Sequence, residues 1–246
     1  MMTLVVSKTG IRGNVSDQAF SRFVALMQGT IVQWVDALRN PRREPPSEEF
    51  LNELRRLGID PQSLSWGPMT FLPYRAEYVV GEIIKRPPRA VLEIGAGLST
   101  LLFSALGARY GFPVYSIENF RGSISYVQYL FSKASHDMTA NVQLCGFVRR
   151  RYPDGKTYRW YGADLAQTQT KFDFVFIDGP MKTLVGRNGG LPEIAPYLAP
   201  DNRIFLDDTN LDHGKFCIKQ WQEQFPHLQV REDCFGVAHM HLPMAG

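Results

Sequence analysis

Asp178, Asp207 and Asp208 are the residues whose types and positions best suit chemistry. Asp178 ends the run Phe172-Asp173-Phe174-Val175-Phe176-Ile177, and Asp207-Asp208 end the run Arg203–Leu206. Apolar runs of that length read as buried strands, and parallel neighbours bring their carboxyl ends to one rim. Three carboxylates on one rim repel one another unless a cation or protons intervene. Two solutions are open. A divalent cation sits among the oxygens, or one carboxyl group has a raised pKa and removes a proton from a substrate. His213, in the stretch that follows, is a further candidate base. The plain structural alternative for each carboxylate is the capping of a loop.

A second constellation lies earlier, in Val91-Leu92-Glu93-Ile94-Gly95-Ala96-Gly97-Leu98-Ser99-Thr100. It reads as a buried strand, a glycine turn and a helix start. Such a turn lets the backbone approach a ligand and aims free N–H groups at it. The dinucleotide pattern G-x-G-x-x-G would need glycine where Thr100 stands. Glu93 offers nothing to a pyrophosphate, whereas a ligand carrying an ammonium or sulfonium group gains from it. Glu118 ends the next strand, Pro113 to Ile117. An acidic residue about 20 positions past such a turn can accept hydrogen bonds from both hydroxyls of a ribose.

The elements that must position these groups alternate. After the central strand come a helix through Leu101–Leu106, the strand ending at Glu118, and a helical passage over Asn119–Ser135. A strand is expected at Val142–Val148, and Asp154-Gly155 signals a hairpin with Tyr158–Tyr161. Asp164 follows in a loop. The glycine-bearing stretch Lys182–Gly190 separates the fourth strand from a short helix at Leu191–Leu198. Lys215–Phe225 repeats apolar residues at helical spacing, and Val230 with Val237–Leu242 predicts a closing antiparallel pair. Strands alternating with helices imply a mainly parallel sheet covered on both faces.

The N-terminal part reads differently. Asp17–Arg39 carries Phe20, Phe23, Val24, Met27, Ile31, Trp34, Val35 and Leu38 at helical spacing, stopped by Asn40-Pro41. Arg42–Pro46 reads as a linker. Ser47 caps a short helix ended by Gly58. Gln62–Pro73 is broken by Gly67, Pro68 and Pro73, and its Trp66, Met69, Phe71 and Tyr74 are candidates to cover a ligand. A helix over Arg75–Lys85 then leads into the central strand.

The pieces Leu92–Gly97, Ser116–Glu118, Phe172–Pro180 and Phe205–Asp208 occur in an order and spacing that resembles the class I S-adenosylmethionine-dependent methyltransferases. The closest likeness is to a bacterial branch with I-D-G-P after the fourth strand and L-D-D after the fifth, distantly similar to catechol-type O-methyltransferases. The resemblance implies a Rossmann-like, doubly wound α/β fold with a mainly parallel seven-stranded sheet whose last strand inserts antiparallel. The likeness covers about Val91 to Leu242 and assigns the domain to 74–246; residues 1–73 match no family and read, from their own pattern, as a helical extension and lid segment. The resemblance implies S-adenosyl-L-methionine as cofactor, held by Glu93, Gly95, Ala96, Gly97, Ser99, Thr100, Glu118, Asn119, Asp164 and Asp178. Asp178, Asp208 and His213 become the catalytic candidates. Asp178, Asp207 and Asp208 become the candidate ligands of Mg²⁺ or another divalent cation. The catechol-type relatives carry Asp-Asn where this chain has Asp207-Asp208, and a lysine one position earlier than Lys182.

The activity implied is methyl transfer to a small-molecule acceptor, at a hydroxyl oxygen. Two rivals stay open: a methyltransferase-like fold serving only as a binding module, and a nicotinamide-dependent oxidoreductase. The length of 246 residues fits one α/β domain with an appendage. A net charge of +3 is too small to argue for a nucleic-acid partner. Cys145, Cys217 and Cys234 lack metal spacing and point to a reducing compartment. No stretch has the layout of a signal peptide or the length to span a bilayer. The expectation is a cytoplasmic protein without membrane contact, with a homodimer through the N-terminal helices as the candidate assembly.

Overall fold

The computed structural model describes residues 2–7, 10–12, 45–66, 71–152, 155–180 and 186–244. The helix expected at Asp17–Arg39, most of the linker after it, Met69 of the covering segment, and Lys182 lie outside these residues.

The strands are β1 (Met2–Ser7), β2 (Gly10–Arg12), β3 (Val91–Ile94), β4 (Val114–Glu118), β5 (Thr139–Leu144), β6 (Phe147–Arg151), β7 (Thr157–Tyr161), β8 (Phe172–Ile177), β9 (Leu198–Asp207), β10 (Gln229–Cys234) and β11 (Val237–His241). The helices among the described residues are α1 (Glu48–Arg56), α2 (Pro73–Lys85), α3 (Leu98–Tyr110), α4 (Arg121–Lys133), α5 (Gly190–Ile194) and α6 (Asp212–Gln224). One sheet of nine strands runs β10-β11-β9-β8-β3-β4-β5-β1-β2. Its centre, β5-β4-β3-β8-β9, is parallel, and β11 enters antiparallel beside β9. The expected Rossmann-like α/β arrangement of seven strands is therefore present.

Two strands were not expected. β1 pairs antiparallel with β5 and β2 with β1, extending the sheet at that edge. Leu4 and Val6 alternate with more exposed neighbours and are fully buried, which is the period of a one-sided strand. They share one apolar cluster with Phe50 and Leu54 of α1, Val91 of β3 and Phe174 of β8, so residues before 74 pack into the core of the main sheet. The stretch Val142–Val148 also divides. Its first part belongs to β5, while Phe147 and Val148 start the hairpin β6–β7, which forms a separate two-stranded sheet. Cys145-Gly146 makes the break, and the Gly146 carbonyl accepts the Gly162 N–H at 2.7 Å.

Every residue of β3 and β8 is buried. Strands covered on both faces need apolar side chains on both, which explains the unbroken runs. Phe174 and Phe176 pack on the side of α1–α4, whereas Val175 and Ile177 pack with Trp221 of α6 on the other. Phe103 of α3 meets Phe174 and Phe176 at centroid distances of 5.9 and 5.4 Å. The covering segment takes part in the same packing. Trp66 lies against Phe50, and Phe71, only 2 % exposed, lies against Phe176. These two aromatics make core contacts. No described helix is long and apolar enough to cross a membrane.

Candidate cofactor and acceptor site

The chain passes from β3 outward to β4 and β5, then returns to the opposite side of β3 as β8. That reversal opens a crevice at the carboxyl ends of β3 and β8, the usual place for a ligand in such a sheet. Ile94 pairs with Ile177, and the Asp178 N–H donates to the Ile94 carbonyl at 2.9 Å. The glycine turn and Asp178 are thereby placed side by side.

Gly95 adopts φ +96°, and a methyl group there would stand 3.1 Å from the Gly179 nitrogen. Gly97 differs: a methyl group on it would meet nothing within 4 Å. The turn is tight beneath and open above.

Alternation along β3 puts Glu93 on the α3 side, where it is fully buried. Its carboxylate accepts the hydroxyls of Ser99, Thr100 (2.7 Å) and Ser116. Ser99 and Thr100 point down into the protein and are themselves buried. Glu93 therefore braces the turn from below, and any effect on a ligand passes through that brace. Burial pushes Glu93 up to about 7, with the hydroxyls of Ser116, Ser99 and Thr100 pulling it back. The Thr100 hydroxyl oxygen also accepts the Gly97 N–H at 2.9 Å, satisfying one donor at the helix start.

Glu118 sits at the expected strand end, but its carboxylate gathers main-chain donors. Ala96 N–H donates at 3.0 Å, Asn119 N–H at 2.6 Å and Phe120 N–H at 2.7 Å, with the Ser123 side chain as a further partner. It joins the turn after β3 to the turn after β4. Burial raises its pKa against those hydrogen bonds. Asp164 caps a short 3-10 turn over Leu165–Thr168 through Ala166 N–H (3.2 Å), and its main chain is held by Gln143. A cleft of about 340 Å³, lined by Ile117, Trp160, Tyr161, Gly162, Ala163 and Asp164 among others, opens beside it.

Asp178, Asp207 and Asp208 converge as their strands predict, each with a carboxylate oxygen within 4.8 Å of the others. Two arginines that sequence reasoning missed lie among them. Arg75, in the first turn of α2, reaches Asp207 Oδ1 at 2.6 Å and Asp208 Oδ1 at 3.0 Å. Arg187, which precedes α5, reaches Asp178 Oδ1 at 2.9 Å and Asp208 Oδ2 at 3.0 Å. Both arginines are about 95 % buried. Each had a faint signal. A cation in the first turn of a helix opposes the macrodipole, so Arg75 needs another reason to be there. Arg187 is the charge in Gly186-Arg187-Asn188-Gly189-Gly190.

Burial, and then Asp207, hold the Asp178 carboxyl well above the usual range, with Arg187 pulling it down. Asp207 is raised to about 6 by burial, opposed by Arg75. About a quarter of the Asp178 and Asp208 side chains remains exposed, so both face the crevice. Asp208 is held at φ +62°, a conformation that costs energy for a residue with a side chain. His213 lies in the first turn of α6, next to Gly214, whose Cα faces the Asp208 carbonyl closely.

No protein-family profile matches the chain, and no curated protein matches it. Solved structures do. An SAH-bound methyltransferase from Podospora anserina, PaMTH1, is similar over 94 % of this chain and 100 % of its own, at TM-score 0.51 and 14 % identity. An O-methyltransferase from Bacillus cereus in complex with SAH is similar over 87 % and 96 %, at TM-score 0.45 and 16 % identity. At such identities the likeness is one of architecture, and the chain carries the Rossmann-like methyltransferase fold.

Proposed function

We propose that this chain is an S-adenosylmethionine-dependent methyltransferase that methylates a small molecule at a hydroxyl oxygen. The observation that carries this reading is the crevice between β3 and β8. It puts an open glycine turn, an acidic strand end and a carboxylate rim within one site, in the order the fold requires. The open face of Gly97 suits the methionyl half of the cofactor. Glu118 would take the ribose, with a ribose hydroxyl replacing the Ser123 side chain as donor. The cleft beside Asp164 suits the adenine.

When bound, the cofactor supplies a methyl group on a sulfonium, an electrophile that is already activated. The protein then has to hold an acceptor in line and remove its proton. Asp178 borders both the turn and the rim, and the quarter of its side chain left exposed lets it reach an acceptor's proton. The bound cofactor would supply the methyl group to the acceptor oxygen, and the Asp178 carboxylate would take the proton that oxygen gives up. Asp208, just past β9, flanks that position and would orient the acceptor, with His213 of α6 as the alternative base.

Calorimetry with S-adenosylmethionine, S-adenosylhomocysteine and a nicotinamide dinucleotide tests the cofactor. Binding of the first two is expected, and heat from the dinucleotide alone overturns the reading. A screen of hydroxyl acceptors, read as S-adenosylhomocysteine release, tests the reaction. Binding without any turnover favours the binding-module alternative.

A further inference from the structure

We propose that Arg75 and Arg187 are the built-in cations of the carboxylate rim and take the place of a divalent metal ion there. Three carboxylates at strand ends invite a metal, and their spacing alone would permit one. Four of the six oxygens, however, are already committed. Asp207 Oδ1 accepts Arg75 Nη1 at 2.6 Å and the Asp208 N–H at 2.8 Å. Asp208 gives one oxygen to each arginine, and Asp178 Oδ1 goes to Arg187. A hard cation such as Mg²⁺ demands a near-octahedral set of oxygens with free lone pairs. The rim as built does not offer that set.

The guanidinium groups are not held by the carboxylates alone. Arg187 also donates to the main-chain carbonyls of Asp207 (2.7 Å) and Asp178 (2.9 Å). Arg75 donates to the Phe235 carbonyl (2.9 Å) and to Asn210 Oδ1 (3.0 Å). These neutral acceptors come from the turn after β8, from β9, from the turn that follows β9 and from the turn before β11. They fix both planar forks in place whatever the carboxylates do. A divalent ion entering the rim would meet two fixed positive charges at short range. Counted fully ionised, three carboxylates against two guanidinium groups leave the cluster at most one negative charge, too little for a metal cage.

Mn²⁺ titration of the full chain, followed by electron paramagnetic resonance without cofactor or substrate, tests this independently of methyl transfer. Wild-type protein is expected to show no rim site tighter than millimolar. Arg187→Met and Arg75→Met, which each leave the cluster one charge more negative, are expected to gain Mn²⁺ affinity by tenfold or more. The gain should disappear when Asp207→Asn is added. Stoichiometric micromolar binding by wild-type protein, abolished by Asp207→Asn, overturns the proposal. Folded methionine variants with no gain in affinity overturn it as well. If those variants do not fold, the guanidinium Nε–H resonances of wild-type protein decide. They should stay sharp in millimolar Mn²⁺, and selective broadening of Arg75 and Arg187 overturns the proposal.

Discussion

One nitrogen of Arg187 stands 2.9 Å from Asp178 Oδ1 and 3.0 Å from Asp208 Oδ2, so a single guanidinium corner ties the end of β8 to the end of β9. Removing one partner of such a buried cluster leaves uncompensated charge. Arg187→Met should therefore destabilise the fold by about 3–5 kcal/mol. Urea unfolding measures it. A loss under about 1 kcal/mol, the scale of an exposed pair, would show that the tie carries little.

Glu93 should leave a signature in the pH dependence of stability. It titrates near 4.5 when unfolded and at about 7 when folded. Between those values the folded chain binds the extra proton, so stability falls as pH rises across the window and is flat on either side. The span corresponds to up to about 3 kcal/mol. Unfolding of wild type and Glu93→Gln at pH 5 and pH 8 isolates the group. Wild type should lose more than the variant on going to pH 8; parallel losses would remove Glu93 as the cause.

Gly95 and Gly97 should respond oppositely to alanine. Gly95→Ala forces a side chain into positive φ and against the Gly179 backbone, and should cost about 1–3 kcal/mol. Gly97→Ala has room and should leave the melting temperature close to wild type. Its methyl group would occupy the space proposed for the methionyl half, so S-adenosylhomocysteine should bind roughly tenfold more weakly, about 1.4 kcal/mol. Unchanged affinity in Gly97→Ala would move the ligand away from this turn.

Glu118→Ala should lose both cofactor affinity and stability. The ribose contacts would account for roughly 1.5–3 kcal/mol per charged hydrogen bond. The three main-chain donors left behind add a folding cost that a free strand-end carboxylate would not have. Calorimetry and thermal unfolding separate the two losses. A variant with wild-type stability would mean that the amide contacts are dispensable.

Asp178→Asn keeps the shape of the rim and removes its proposed base. Turnover on a verified acceptor should fall at least a hundredfold, while cofactor affinity stays within about tenfold. Full turnover in the variant would assign the proton to another group.

The sheet was legible because β3, β8 and β9 are buried on both faces, and such strands write themselves as apolar runs. The three aspartates followed, since their positions depend only on where those runs stop. Glu93 suggests a cationic ligand above the turn, while the alternation that buries Val91 on the α3 side puts Glu93 there too, so any influence on a ligand is indirect. β1 escaped notice because Leu4 and Val6 mark one face only, with no long apolar run to betray the strand. The arginines left only faint signals, for a different cause. The three-aspartate rim announces a need for positive charge, but which of 27 basic residues supplies it is decided by long-range packing.

The pairing of β1 along β5 has a consequence for how molecules of this protein keep apart. A parallel sheet ending at β5 would present a six-residue row of unpaired main-chain donors and acceptors, a template for strand addition by a neighbour. β1 occupies that row, and Leu4 and Val6 plug the apolar hollow beneath it. Clipping the first dozen residues would uncover both at once. The shortened protein would then tend to polymerise edge to edge, so the leading strand acts as a guard on solubility.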